Sequence, residues 1–173
     1  MLFYRISSPK YIDDLSGNGA KQYGGRWNNK GTAALYLASS RAMSVVEVLV
    51  HLRPEDLERD YSLATFEIES SSILTLAIAD LPQNWKDYEH NELLKEIGTK
   101  FIKEGKFLIL KVPSVIIEEE FNFIINPDHP VFSGINLLKV LELDISDANV
   151  CVAHSVKAIS ACRHLRSLCK PII

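Results

Sequence analysis

The order of short apolar segments along the chain limits the fold more than any other feature. Segments typical of strands and helices do not alternate regularly, and only two or three have helical periodicity, which favours an α+β fold. A chain of 173 residues suffices for a single domain with mixed central strands flanked by a few helices. The predicted strands are residues 32–38, 62–69, 107–112, 121–125 and 137–144.

Two segments predict amphipathic helices. Apolar residues recur at helical spacing over residues 41–52, after the N-cap candidates Ser39 and Ser40 and before Pro54. The second segment, residues 89–104, is followed by a glycine, which favours a helix end. Its predicted buried face consists of Leu93, Leu94, Ile97, Phe101 and Ile102.

Residues 1–31 are rich in Gly, Ser, Asn and Tyr and predict a long loop region. Within it, Arg26 follows two glycines that let the backbone approach a ligand, and its planar guanidinium matches phosphate oxygens. The alternative is a tight turn in which a surface Arg26 stacks on Trp27. A long loop at the start of a domain is more often functional than idle.

Glu47 lies inside the apolar run VVEVLV, on a helical stripe with Met43 and His51. A carboxylate in this position is at least partly buried and therefore needs a partner, either an arginine or a cationic substrate. The alternative is a glutamate at the edge of the apolar face that pairs with Arg41 or Arg53.

Tyr36 and Ser114 are polar residues at positions where a strand end could present them to a cleft. Each has a structural alternative, because a strand tyrosine often belongs to the core and Pro-Ser after a strand often forms a turn. His51 and His129 have no evident carboxylate or cysteine partner in the sequence, and we interpret both as structural.

The charges are distributed unevenly along the chain. The net charge is −3, but residues 151–173 contain four basic residues and no acid, which leaves about −7 on residues 1–150. An acidic body disfavours nucleic acid as a direct ligand. It remains compatible with a small phosphate-bearing ligand held by one or two arginines.

The three cysteines all fall within the last 23 residues and lack the spacing of a metal site. No segment reaches the roughly 20 apolar residues of a membrane helix. The N-terminus also lacks the apolar core of a signal peptide. We therefore expect a cytoplasmic protein with no membrane segment and no bound metal.

Several segments, in order, resemble the RES domain family, which is named for an arginine, a glutamate and a serine. The longest is residues 15–52, and the resemblance continues through LKVPS at 110–114 and EFNFIINPDHPVF at 120–132. We therefore predict a RES domain over residues 1–145. The remainder, 146–173, is a C-terminal extension of unknown role whose apolar spacing permits a helix.

The resemblance implies the fold of the ADP-ribosyltransferases and an enzyme that degrades NAD⁺ as the toxin of a bacterial toxin–antitoxin system. It assigns the family arginine to Arg26, the glutamate to Glu47 and the serine to Ser114. A second family arginine corresponds to Arg5, and a strand tyrosine corresponds to Tyr36.

In that chemistry Glu47 faces the cationic ribose that forms when the nicotinamide–ribose bond breaks, and Arg5 and Arg26 bind the pyrophosphate. Tyr36 stacks on nicotinamide or adenine, and Ser114 hydrogen-bonds the nicotinamide amide or a ribose hydroxyl. The resemblance implies NAD⁺ as the substrate. Nicotinamide leaves as a neutral molecule, so no general acid is required, and we expect no cofactor or metal to be needed.

The sequence leaves the acceptor open. Water makes the enzyme an NAD⁺ glycohydrolase, phosphate an NAD⁺ phosphorylase, and a protein side chain an ADP-ribosyltransferase. A non-catalytic nucleotide-binding module is an alternative that the intact Arg26 and Glu47 disfavour. An RNA-cleaving toxin is another, disfavoured by the acidic body.

The resemblance also implies a partner, an antitoxin with an Xre-like helix-turn-helix part that blocks the NAD⁺ cleft. We expect a toxin dimer within a larger toxin–antitoxin complex, with no direct contact to nucleic acid or membrane.

Overall fold

Seven strands form one mixed sheet, which confirms the α+β class. The structure is a computed structural model that describes residues 1–52, 56, 59–69, 72–87 and 92–143. The strands are β1 (Leu2–Ser7), β2 (Leu35–Ala38), β3 (Tyr61–Ile68), β4 (Ile73–Thr75), β5 (Ile109–Pro113), β6 (Phe121–Ile125) and β7 (Ile135–Leu143). Their order is β4-β5-β6-β2-β1-β3-β7, and β4 and β5 form the parallel pair.

The described residues contain three α-helices, α1 (Asn18–Tyr23), α2 (Arg41–Leu49) and α3 (Glu92–Glu104). Ser40 caps α2, because its hydroxyl accepts a hydrogen bond from the backbone N–H of Met43 at 3.0 Å. Helix α2 ends at Leu49, ahead of Pro54, which lies outside the described residues. Within the described part of the chain, no helix is long and apolar enough to cross a membrane.

Helix α3 confirms the second predicted helix and corrects one residue of its face. Leu94 is fully buried, but Leu93 is 54% exposed, because neighbouring residues on a helix point about 100° apart. The predicted first turn, residues 89–91, lies outside the described residues, as does the extension 146–173 with its cysteines.

The predicted loop over residues 1–31 is wrong in two places, over strand β1 and over helix α1, which occupies Asn18–Tyr23. Strand β1 lies inside the sheet between β2 and β3, and it pairs with β3 along its whole length. Of its apolar residues Leu2, Phe3 and Ile6, only Phe3 is fully buried, at 1% exposed. The segment LFYRIS does not alternate apolar and polar residues regularly, so the sequence carries no clear strand pattern. Strand β4 was not predicted either, since it has only three residues.

The two faces of the sheet carry separate apolar clusters, and the alternation along β6 shows the division. Phe123 and Ile125 belong to the cluster that includes Phe3, whereas Ile124 belongs to the cluster beneath α3. Asn122 therefore shares its face with Ile124. The register places Tyr36 opposite Ile124, so this face also carries Tyr36.

Helix α3 packs directly against the loop that carries Arg26. A Cβ at Gly98 would lie 1.8 Å from the carbonyl oxygen of Trp27, so only glycine permits this approach. One residue later, the hydroxyl of Thr99 accepts a hydrogen bond from the backbone N–H of Asn29 at 2.9 Å. The helix thus fixes the position of this loop.

Candidate active site

The carboxylate of Glu47 accepts hydrogen bonds from two side chains that lie far away in the sequence. The Ser114 hydroxyl donates to Oε1 at 2.9 Å, and the Asn122 amide donates to the same oxygen at 2.6 Å. Glu47 is half-buried near the end of α2. The hydrogen-bond partners that the structure shows for this carboxylate are thus a hydroxyl and an amide. Arg53, which the sequence offered as an alternative partner, lies outside the described residues.

Ser114 is fully buried at the end of β5, where its hydroxyl is surrounded by protein groups. It accepts hydrogen bonds from the backbone N–H groups of Ile116 and Ile117 at 3.1 and 3.3 Å, and it donates to Glu47. The backbone N–H of Ser114 donates to the carbonyl of Glu120, which closes the turn between β5 and β6. This turn holds the hydroxyl towards the carboxylate.

The hydroxyl of Tyr36 ties strand β2 to the glycine-containing loop. It donates to Oδ1 of Asn28 at 2.6 Å and accepts from the backbone N–H of Trp27 at 3.1 Å. Position 25 must be a glycine, because a Cβ there would lie 2.5 Å from the Tyr36 hydroxyl oxygen. Burial raises the pKa of Tyr36, while the Trp27 N–H and the charge of Arg26 oppose that rise.

Arg26 is half-buried, and its guanidinium donates to the backbone carbonyl of Trp85. Its charge acts on both Tyr36 and His51, so the structure brings this arginine near the tyrosine and near the helix of Glu47. Trp27 is 3% exposed and belongs to the apolar cluster beneath α3, and Arg26 is half-buried, unlike the surface arginine of the alternative interpretation.

His51 lies near Glu47 and Arg26, although the sequence indicated no partner for it. Burial lowers the pKa of its imidazole, the charge of Glu47 raises it, and the charge of Arg26 lowers it further. Within the part of the chain that is described, its Nδ1 is buried and has no hydrogen-bond partner. The signal in the sequence was its position four residues after Glu47.

Arg5 is the one predicted site residue that the structure does not join to the others. Its guanidinium donates to the carbonyl of Asp14 at 2.6 Å. Burial lowers the pKa of Arg5, and the carboxylates of Asp14 and Asp13 oppose that change. The β1 alternation places its side chain on the same face as Phe3, opposite to the face of Tyr36.

A cleft of about 610 Å³ opens next to the Trp85 backbone that binds Arg26. It is bordered by Trp85, whose carbonyl binds Arg26, and by Glu118, which follows the turn that binds Ser114. Its lining consists of Gln83, Asn84, Trp85, Lys86, Asp87 and Glu118, so none of the five predicted residues lines it. Among the described residues, no three or more His, Cys, Asp or Glu side chains cluster as metal ligands would.

Comparisons with known proteins agree with this fold. The profile of the RES domain family matches residues 2–146. A protein named Toxin Res from Yersinia enterocolitica is 39% identical over 133 residues, covering 76% of this chain and 88% of the relative. The Prs ADP-ribosylating toxin of a Sphingobium species is 39% identical over 144 residues, covering 80% and 89%.

A solved structure shares the fold at lower identity. It is a chain of the M. tuberculosis MbcT-MbcA toxin-antitoxin complex, with a TM-score of 0.71, 21% identity and 88% of both chains covered. Since the family profile spans most of the sequence and curated members match it at this identity, the chain belongs to the RES domain family.

Proposed function

We propose that this protein is the toxin of a bacterial toxin–antitoxin system and that it cleaves the bond between nicotinamide and ribose in NAD⁺. The observation that carries the proposal is the Glu47 carboxylate, which is half-buried and held by Ser114 and Asn122. A fixed anion of this kind stabilises a developing positive charge better than solvent does, because it needs no reorganisation during the reaction.

The reaction uses Glu47 in the transition state. The bond from C1′ of the ribose to the nicotinamide nitrogen breaks, and its electron pair leaves with that nitrogen, so nicotinamide departs neutral. The ribose becomes oxocarbenium-like, and the carboxylate that binds its hydroxyl faces the new charge. An oxygen of water or phosphate then bonds to C1′, and in the reaction with water a proton is released.

The other side chains bind and orient the substrate in this proposal. Arg26 supplies a planar donor for the pyrophosphate. Tyr36 offers an aromatic ring on the same face of the sheet as Asn122. Ser114 acts through its hydrogen bond to Glu47, because its hydroxyl already contacts three protein groups. A pyrophosphate contact from Arg5 stays a prediction from the family resemblance.

The acceptor can be identified with the purified full-length chain and NAD⁺, in buffers with and without phosphate. Chromatography follows free nicotinamide and the ribosyl product. Release that needs phosphate identifies an NAD⁺ phosphorylase, and release without phosphate identifies a glycohydrolase. Absence of release in both buffers, from folded protein free of antitoxin, would contradict NAD⁺ depletion.

The second candidate function is ADP-ribosylation of a protein target. It is favoured by the relative named Prs ADP-ribosylating toxin, which is 39% identical to this chain. The same carboxylate serves both reactions, since only the acceptor differs. Incubation with adenine-labelled NAD⁺ and a bacterial lysate distinguishes them, because transfer leaves the label on a protein band and depletion leaves it on a small molecule.

The proposed partner is an antitoxin with an Xre-like helix-turn-helix part. The support is the toxin names of the curated relatives and the family resemblance. The antitoxin would block the NAD⁺ cleft, and a toxin dimer would assemble with it in the cytoplasm. Co-expression followed by the nicotinamide assay tests this, since a bound antitoxin must suppress release that the isolated toxin supports.

A further inference from the structure

Asn122 is the polar residue nearest to the Glu47 carboxylate that neither the sequence pattern nor the family resemblance singled out. Its amide donates to Oε1 at 2.6 Å, which is shorter than the 2.9 Å of the Ser114 hydrogen bond to the same atom. We infer that Asn122 is a positioning residue that holds Glu47 in the orientation required for catalysis. The inference rests on the proposed function of Glu47.

The backbone of Asn122 lies inside the sheet and is therefore a rigid support. Strand β6 pairs with β2 on one side and with β5 on the other, so Asn122 lies opposite both Ala38 and Val112. Residue Ile124 on the same face is fully buried. A donor fixed on a paired strand positions its acceptor more narrowly than one on a loop.

Both donors bind the same carboxylate oxygen, which leaves the two oxygens of Glu47 in different environments. Oε1 receives the hydroxyl of Ser114 and the amide of Asn122. No side chain in the described part of the chain hydrogen-bonds Oε2. Two donors on one oxygen restrict rotation of the carboxylate, so Oε2 is the atom directed towards a ribose hydroxyl.

Asn126 provides a comparison for a purely structural asparagine. It is 1% exposed, it donates to the carbonyl of Ile102 at 3.0 Å, and its own oxygen accepts from the N–H of Asp128. Asn122 differs because it is half-buried and its amide binds a carboxylate. The two residues are therefore expected to affect the reaction differently.

The test introduces Asn122→Leu, which keeps the branched shape of the side chain and removes its donor, into the wild type and into the Glu47→Gln variant. Nicotinamide release gives kcat and KM for the full-length chain, and thermal unfolding reports the folded fraction. In the wild type we expect kcat to fall about 10- to 100-fold with KM changed by less than about threefold. In Glu47→Gln the same substitution should change kcat less than about threefold.

A structural role would lower activity equally in both backgrounds, and that result would overturn the inference. So would a folded Asn122→Leu with wild-type kcat, or one in which only KM rises. Asn122→Asp gives a second measurement in case the leucine variant does not fold. It preserves the shape but places a like charge beside Glu47, so its kcat should fall below that of Asn122→Leu, whereas a packing role predicts the opposite order.

The activity of the wild type distinguishes a failure of this inference from a failure of the proposed function. If the wild type releases nicotinamide and Asn122→Leu does so at the same rate, the positioning role alone is contradicted. If the wild type releases no nicotinamide, the proposed function is contradicted. In that second case the contact is tested by urea unfolding of Asn122→Leu, Glu47→Gln and the double variant. Shifts of the urea midpoint that simply add would overturn the coupling between the two side chains.

Discussion

The Tyr36 hydroxyl connects the sheet to the loop that carries Arg26, and its removal should loosen that loop. Tyr36→Phe leaves the backbone N–H of Trp27 and the Oδ1 of Asn28 without this partner. We expect a loss of about 1–3 kcal/mol in the free energy of unfolding, because a buried polar group is left unsatisfied. Urea denaturation measures it.

Tyr23→Phe is the matched control, since Tyr23 is 64% exposed and should change stability by less than about 0.5 kcal/mol. Equal stabilities of the two variants would contradict the anchoring role of Tyr36.

Residue by residue, the sequence predicted Glu47 and Ser114 through the family resemblance, and the structure brings them together. It missed Asn122, because that contact spans 75 residues and no local pattern encodes it. A weak signal was present, since Asn122 occupies an inward position of the otherwise apolar strand FNFII. Arg5 was predicted beside Arg26, but the two side chains have different neighbours.

At the scale of elements, the contact between α3 and the Arg26 loop depends on Gly98. In Gly98→Ala the new Cβ would lie 1.8 Å from the Trp27 carbonyl oxygen, so the helix or the loop must move. Overpacking of this kind costs about 3 kcal/mol, which exceeds the gain of about 1 kcal/mol from replacing a helical glycine with alanine. Chemical denaturation should therefore show a net loss.

Gly134→Ala is the control for this substitution, because a Cβ at Gly134 meets no atom within 4 Å. Its stability should stay within about 0.5 kcal/mol of the wild type. A Gly98→Ala protein as stable as Gly134→Ala would show that helix and loop are not packed as described.

Elements with a strong local pattern were predicted well, and elements without one were not. Helix α2 has a serine N-cap and helical spacing, and β6 is a short apolar run between polar residues, so both were found. Strand β1 was assigned to a loop, because LFYRIS lacks a regular alternation of apolar and polar residues and lies within a segment rich in turn residues. What makes it a strand is pairing with residues about 60 positions later, which a local pattern does not contain.

On the scale of the whole molecule, burial of His51 predicts a pH dependence of stability. The folded-state pKa of this imidazole is lowered from its ordinary value of 6.5, mainly by burial. Below about pH 6.5 the unfolded chain therefore takes up a proton that the folded chain takes up only at lower pH. The free energy of unfolding should fall as the pH decreases through this range.

Urea titrations at several pH values between 7.5 and 5.5 measure this dependence in the wild type and in His51→Gln. The variant lacks the buried imidazole, so its stability should decline less steeply on acidification. Identical slopes for the two proteins would contradict the burial of a neutral His51.

The sheet order explains why the site could not be assembled from the sequence alone. Strands β5, β6 and β2 are neighbours in the sheet, which brings Ser114, Asn122 and Tyr36 to adjoining positions although they are up to 86 residues apart. The irregular order of apolar segments predicted the α+β class but not this arrangement. Long-range strand pairing was the missing information.

The most direct test of the central claim is the rate of nicotinamide release from NAD⁺ by the wild type, Glu47→Gln and Glu96→Gln. Glutamine keeps an oxygen that Ser114 and Asn122 can bind, so Glu47→Gln should remain folded and lose about 10²-fold or more in kcat. Glu96 is exposed on α3, and its variant should match the wild type. A folded Glu47→Gln with wild-type turnover would contradict the catalytic role of this carboxylate.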